Sequence, residues 1–170
     1  MFDTTERLPS PTGANLAYHH EPARTAAIGI LIICHGLAEH SRRYRPFAEA
    51  MAAAGFHVYA HDHRGHGETT ADDAPIGRFG LRSGGITATR DVQAMRNMAT
   101  TAHPDLPVIL FGHSMGGLIA LNTAEAFPAS FNALAIWNSN FNPGIAGRAA
   151  QLVLKTERAL KGSDVPSTIL

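Results

Sequence analysis

Gly112-His113-Ser114-Met115-Gly116 has the spacing G-x-S-x-G, and these residue types could carry nucleophilic chemistry on an acyl carbon. A serine hydroxyl is a weak nucleophile. It reacts when a turn exposes it, a base takes its proton and donors face the oxyanion that forms. An apolar, strand-like run, Pro-Val-Ile-Leu-Phe, enters this motif, and helical spacing through Met115, Leu118, Ile119 and Ala126 leaves it. That is the setting in which a serine sits on a sharp strand-to-helix turn. Gly112 and Gly116, two before and two after the serine, let strand and helix approach. One oxyanion donor is then expected from the Met115 amide. The other is expected from the loop after an earlier strand, where Gly36 in His35-Gly36-Leu37 permits a tight turn that aims the Leu37 amide at the same point.

The elements needed to place these residues can be read along the chain. AAIGILIICHG, FHVYAHD, PVILFGHS and NALAIWNS read as strands of a mostly parallel sheet. Between them lie helical stretches. Phe47, Ala50, Met51 and Ala54 are expected on one face, with Pro46 in the first turn and Gly55 closing the end. Ile86, Val92, Met95 and Ala99 are expected on another face, in a run that Pro104 stops. Strand and helix alternate, which argues for an α/β domain with its ligand site beyond the carboxyl ends of the strands. From Asn142 onward the pattern changes to one amphipathic helix, with Ala149, Leu152, Val153 and Leu160 spaced for a common face. No strand follows, and the chain stops on Ile169-Leu170, apolar residues with no partner in the remaining sequence.

Composition narrows the function classes. Of 170 residues, 45% are hydrophobic, and 14 basic side chains balance 14 acidic ones. A neutral balance gives no electrostatic reason to expect nucleic acid or an anionic membrane surface as partner. A small, weakly polar ligand fits better. Cys34, the single cysteine, cannot form an internal disulfide and lies in an apolar run, where an inert buried thiol is expected. With no signal-like start and no membrane-length apolar window, a cytoplasmic protein is expected.

HGLAEHSRRY (35–44), DHRGHG (62–67) and GHSMGG (112–117) occur in an order and at a spacing that resemble the α/β-hydrolases of the monoacylglycerol lipase and lysophospholipase group. The resemblance runs from about Gly13 to Leu170. It implies Ser114 as nucleophile, the amides of Leu37 and Met115 as oxyanion hole, and a lid over an acyl-binding groove, beginning near LKGSDVPSTIL. On this reading 1–141 is the N-terminal part of the hydrolase core and 142–170 the start of the lid, able to touch lipid transiently. Asp62 and Arg64 brace their loop, and Glu39, His40, Arg43 and Tyr44 act as supports. No cofactor is implied.

His61, His63 and His66 invite a metal reading, because histidines two and five apart can converge on zinc. The binuclear pattern H-x-H-x-D-H, however, needs an aspartate where Gly65 stands, so the run is read as a structural loop without metal. His113 is expected to pack away from the serine. His19, His20 and His103 are expected at the surface or at element ends.

The base is missing. Chain order in this fold is serine, acid, histidine, yet after Ser114 the only acids are Glu125, Glu157 and Asp164, and no histidine follows. The triad's acid and base are therefore expected outside these residues, in a hydrolase of about 250 to 300 residues, with the C-terminal half as a second chain or absent. The isolated chain is expected to be inactive. A small-molecule esterase or peptidase of the same fold, or a non-catalytic module that binds an acyl ligand, stays open beside the lipase reading.

Overall fold

The computed structural model describes residues 2–80, 83–142 and 144–162. Two compact units divide it, Met1–Ser139 and Asn140–Leu170. The first is built on a six-stranded sheet in the order β1-β2-β4-β3-β5-β6, comprising β1 (Glu6–Pro9), β2 (Asn15–Glu21), β3 (Gly29–Cys34), β4 (Phe56–His61), β5 (Val108–His113) and β6 (Ala133–Trp137). β4, β3, β5 and β6 are parallel, while β2 runs antiparallel to both β1 and β4.

β3 is the centre because it can be buried on both faces. Ile30, Ile32 and Cys34 point into a core that also holds Tyr59, Val92, Met95, Leu110 and Ile119, beneath α2 (Gly84–Ala102) and α3 (Met115–Ala126). Leu31 and Ile33 alternate to the other face and meet Val58, Ala48 and Phe2 beneath α1 (Arg45–Ala53). This period of two is why the run reads as a strand and why the domain has three layers. Cys34 is fully buried, and burial raises the pKa of its thiol.

Several expectations about faces change. On α1 the buried residues are Ala48 and Ala52, flanked by half-buried Phe47 and Met51, so Ala50 and Ala54 stand exposed. On α2 the buried stripe runs Ala88, Val92, Met95, Ala99. Ile86 lies two residues before that stripe, about 200° around the helix, and is 57% exposed. Among the described residues β6 pairs only with β5, at the sheet edge. Ala133, Ala135 and Trp137 on it are exposed where a buried strand was expected. His19 is buried, not at the surface: its ring packs 5.3 Å from Phe2, and Nδ1 lies 3.1 Å from the Thr4 carbonyl.

β1 and β2 have no counterpart in the sequence reading. β2 is buried on both faces, and its Tyr18, His19 and Glu21 are polar or amphipathic, so neither alternation nor an apolar run marks it.

In the second unit, α4 (Gly144–Lys161) confirms a helix after Asn142, and Gly162 leaves it at φ +90°. Leu152, Val153 and Leu160 are exposed. Asp164, the residues Gly-Ser-Asp-Val-Pro up to their proline, and Ile169-Leu170 lie outside the described residues, except for Gly162. Among the described residues no helix is long and apolar enough to cross a membrane.

Candidate active site

Ser114 joins β5 to α3 with φ 52° and ψ −119°. A non-glycine residue at positive φ is strained and persists only where its surroundings over-determine it. Here they do. The Ser114 amide donates to the Trp137 carbonyl at 3.0 Å, and its carbonyl accepts from the Gly117 amide at 3.0 Å and the Ser139 hydroxyl at 2.7 Å. The glycines leave no room for a side chain. A Cβ on Gly112 would lie 2.4 Å from the Gly116 carbonyl oxygen, and one on Gly116 would lie 2.1 Å from that of Cys34. The second clash shows how closely α3 is drawn against the end of β3, where His35-Gly36-Leu37 begins.

That loop is folded onto the same turn. Glu39 Oε1 accepts from the Gly36 amide at 2.5 Å and from the Tyr44 hydroxyl at 2.6 Å, and it lies 3.3 Å from His113 Nδ1. Burial works against the Glu39 charge, but the bonds from Tyr44, Gly36 and His113, with Arg43 alongside, outweigh it and hold the carboxyl below its usual range. A Cβ on Gly36 would meet this carboxylate at 2.7 Å. Leu37 follows, 69% exposed. Met115 opens α3, so its amide is one of the helix's first four, which have no intrahelical acceptor.

His113 turns toward α1, with Nδ1 2.8 Å from the Tyr44 hydroxyl. It shares an open cleft of about 450 Å³ with Tyr44, Phe47, Phe111 and Trp137. The cleft lies on the α1 side of the sheet.

DHRGHG closes β4. Asp62 accepts from the Ser41 amide at 2.8 Å, the Ser41 hydroxyl at 2.6 Å and the Glu68 amide at 2.7 Å. Burial opposes its charge, yet these donors win and lower its pKa. Arg64 is fully buried. Its Nε donates to Asp91 at 2.9 Å, and its terminal nitrogens reach Asp73, the Phe79 carbonyl and Thr12 at 3.1 Å. One guanidinium thus ties the loop to α2 and to the N-terminal hairpin. Gly65, at φ +72°, passes so close to Arg78 that a Cβ would sit 1.9 Å from its carbonyl oxygen.

His35 has both ring nitrogens engaged. Nδ1 lies 2.8 Å from the Gly36 carbonyl and so carries the proton, and Nε2 accepts from the His63 amide at 2.9 Å. Burial lowers its pKa to about 4. His35 is neutral and locked in a structural role. Neither ring nitrogen of His61 or His63 has a hydrogen-bond partner among the described residues. Burial lowers the pKa of His61 to about 4 and that of His63 well below the ordinary range. The loop histidines do not gather their nitrogens into a metal-sized group; among the described residues that arrangement occurs at His20, His57 and His103. After Ser114, Glu125 is exposed on α3.

The family model for the serine aminopeptidase S33 hydrolases, Hydrolase_4, matches residues 25–168. This chain belongs to the Hydrolase_4 family. Within that setting, the monoacylglycerol lipase of Mycolicibacterium smegmatis is 35% identical over 124 residues, covering 73% of this chain and 42% of the relative. The human monoglyceride lipase is 36% identical over 102 residues, 60% of this chain and 32% of the relative. A thermostable carboxyl esterase from Bacillus coagulans, solved with glycerol, superposes with a TM-score of 0.81 at 29% identity, over 96% of this chain and 53% of the esterase. The chain spans less than half the length of either lipase.

Sequence reading missed some of the parts that hold the Hydrolase_4 turn in place. Gly117 is as constrained as its neighbours, since a Cβ there would lie 1.9 Å from the Ser139 hydroxyl, and the third glycine of GHSMGG was its signal. Asp91 and Ser41 carried none: they are ordinary polar residues until the fold brings Arg64 and Asp62 to them.

Proposed function

We propose that the complete protein is a serine hydrolase of carboxylic esters, with Ser114 as nucleophile and the amides of Leu37 and Met115 as oxyanion hole. The observation that carries this reading is the strained Ser114 backbone, φ 52° and ψ −119°, held by glycines that leave no space for a Cβ and packed against the end of β3. Strain of this kind presents a hydroxyl at the top of the sheet. Ser114 Oγ attacks the acyl carbonyl, the two amides take the charge of the tetrahedral intermediate, and the alcohol leaves. Water then releases the acid from the acyl-enzyme.

The base and its orienting acid come from outside residues 1–170. His35 cannot serve, because both its nitrogens are committed. The remainder of the protein, in the same polypeptide or as a second chain, docks along edge strand β6 and the cleft beside Tyr44 and Phe111, carrying the histidine to Ser114. Without it the isolated chain is inactive. Substrates are acyl esters of the monoacylglycerol or lysophospholipid kind, in keeping with the lipase relatives. Residues 142–170 begin a lid whose exposed Leu152, Val153 and Leu160 meet the acyl chain or a lipid surface transiently. No nucleic acid, cofactor or catalytic metal takes part, and a cytoplasmic location suits the lone buried thiol of Cys34.

A fluorophosphonate probe tests this. The full-length protein should be labelled on Ser114 and should hydrolyse a monoacylglycerol. Absence of labelling with intact folding would favour a non-catalytic acyl-binding module, and labelling without lipid hydrolysis a small-molecule esterase or peptidase.

A further inference from the structure

His20 near the end of β2, His57 near the start of β4 and His103 at the C-terminus of α2 meet at the end of the sheet opposite Ser114. One ring nitrogen from each lies within 4.8 Å of the others. We propose that these three histidines form a binding site for a divalent transition metal, best suited to Zn²⁺, that fastens the N-terminal hairpin and α2 to the parallel sheet.

Geometry favours a metal over simple packing in two respects. His20 Nε2 and His57 Nδ1 face each other at 3.4 Å. Two nitrogens bound tetrahedrally to one zinc at about 2.0–2.1 Å are about 3.4 Å apart, so this edge of the site is already the right length. His57 Nδ1 also accepts a long bond, 3.4 Å, from the Ala23 amide, so Nδ1 carries no proton and its lone pair is available to a metal that displaces that bond. The other feature is a partner behind a ligand. His103 Nε2 lies 2.8 Å from the Tyr59 hydroxyl, and Tyr59 is itself fixed by stacking on His20 at 4.2 Å. Metal-bound histidines almost always give their second nitrogen to such a partner, which fixes the tautomer and aims the free lone pair. With Nε2 donating to Tyr59, Nδ1 is the ligand.

Loading requires a small movement. His57 and His103 stack at 3.6 Å, and donor separations of up to 4.8 Å must close by about 1.4 Å to reach a tetrahedral edge. His103 sits at a helix end and is half-buried, so the closure falls on its ring, which pivots about the bond to Tyr59. Neutral imidazoles suit zinc, copper and nickel, and water completes the fourth position.

The test uses full-length protein carrying no affinity histidines, stripped with chelator and then given Zn²⁺ or Co²⁺. One Zn²⁺ per chain should remain after gel filtration, the unfolding temperature should rise with Zn²⁺, and Co²⁺ should give a tetrahedral visible spectrum. Replacing the partner behind a ligand weakens metal affinity by about 10–100-fold, so His103→Gln and His20→Gln, which remove a ligand outright, should each weaken it by at least about 100-fold and abolish the thermal shift. Ser114→Ala should bind as wild type. If circular dichroism shows one glutamine variant misfolded, the other decides. No stoichiometric binding by wild type, or unchanged binding in a folded glutamine variant, overturns the site.

Discussion

The turn after β5 and the loop after β4 lie at the same end of the sheet, and they are stabilised by opposite means. The serine turn is made of backbone. Its conformation rests on the absence of side chains at Gly112, Gly116 and Gly117, and among the described residues the one side-chain bond to the Ser114 backbone comes from Ser139. The β4 loop is made of buried side chains, with Asp62 collecting donors from Ser41 and Glu68, and Arg64 binding Asp91, Asp73 and Thr12. The serine turn has no tolerance for added atoms; the β4 loop shares that at Gly65 and, beyond it, has none for removed ones. The first holds Ser114 in its strained conformation; the second ties the β4 loop to α2 and the N-terminal hairpin.

The largest expected effect separates chemistry from folding. Ser114→Ala in the complete enzyme should lower kcat about 10⁶-fold and leave the denaturation midpoint unchanged, because every bond that holds the turn is made by backbone atoms or by Ser139. Residual turnover near wild type, measured with a monoacylglycerol, would remove Ser114 from its role. A fall in stability of the same variant would show that the hydroxyl, and not the backbone, holds the turn.

Acid should act next, at the β4 loop, with half-buried His20 at the far end of the sheet adding to it. His35 and His61 have pKa values lowered to about 4, chiefly by burial, against about 6.5 in an unfolded chain. Between these values the unfolded state binds protons that the folded state refuses, so stability rises with pH across that window. It is complete above about pH 6.5 and drains away as pH falls toward 4. Asp62, whose pKa is lowered, yields only below the ordinary carboxylate range, so the histidines lead. Denaturant melts from pH 7 to 4 should lose several kcal/mol, with hydrogen exchange rising first around residues 61–67. A flat profile to pH 4.5 would mean that these rings, once protonated, find hydrogen-bond acceptors in the folded state.

Arg64→Ala sharpens the contrast further. Breaking a buried ion pair by removing one partner costs about 3–5 kcal/mol, because the other charge is left uncompensated. Asp91 is buried like Arg64. Urea unfolding should show a loss of that size, while Asp73→Ala, at an exposed carboxylate, should cost under about 1 kcal/mol. Equal losses in the two variants would show that the network does not centre on the Arg64–Asp91 pair.

These two regions were unequally legible in the sequence. The serine turn could be read because its requirements are local: glycines at fixed offsets, a strand before and a helix after. β3, β4 and β5 were legible for the same reason, since their signals are local runs: β3 is buried on both faces, and β5 alternates buried with half-buried residues. The β4 network was not, because Arg64 and Asp91 lie 27 residues apart and nothing in either residue announces the other. β2 stayed hidden because His19 and Glu21, polar in any sequence scale, are buried by partners that only the fold supplies. Ile86 misled for the reverse reason, as an apolar residue whose angular position on α2 carries it off the core. The cluster of His20, His57 and His103 has no sequence spacing to betray it, whereas the dense run from His61 to His66 drew attention and gathers no metal-sized group.

The smallest effect tests whether the turn is as unyielding as its backbone suggests. Gly116→Ala drives a methyl to 2.1 Å from the Cys34 carbonyl oxygen, with the carbonyl oxygen of His35 at 2.5 Å. Both obstacles are backbone at the end of the central strand and cannot turn aside. Overpacking of this kind costs about 1–3 kcal/mol, occasionally more, and relief requires α3 to move off β3, carrying the Met115 amide with it. Gly117→Ala meets a different obstacle. Its nearest neighbour, at 1.9 Å, is the Ser139 hydroxyl, followed by Ile136 Cγ2 at 2.8 Å. A serine rotamer can swing away at the loss of its bond to the Ser114 carbonyl, worth about 0.5–1.5 kcal/mol. Gly117→Ala should therefore destabilise less than Gly116→Ala in urea melts, and the double variant Gly117→Ala/Ser139→Ala should cost little more than the single one. If Gly117→Ala proves the worse of the two, the side-chain bond from Ser139 holds the turn, and the division between a region built of backbone and one built of side chains fails at its clearest point.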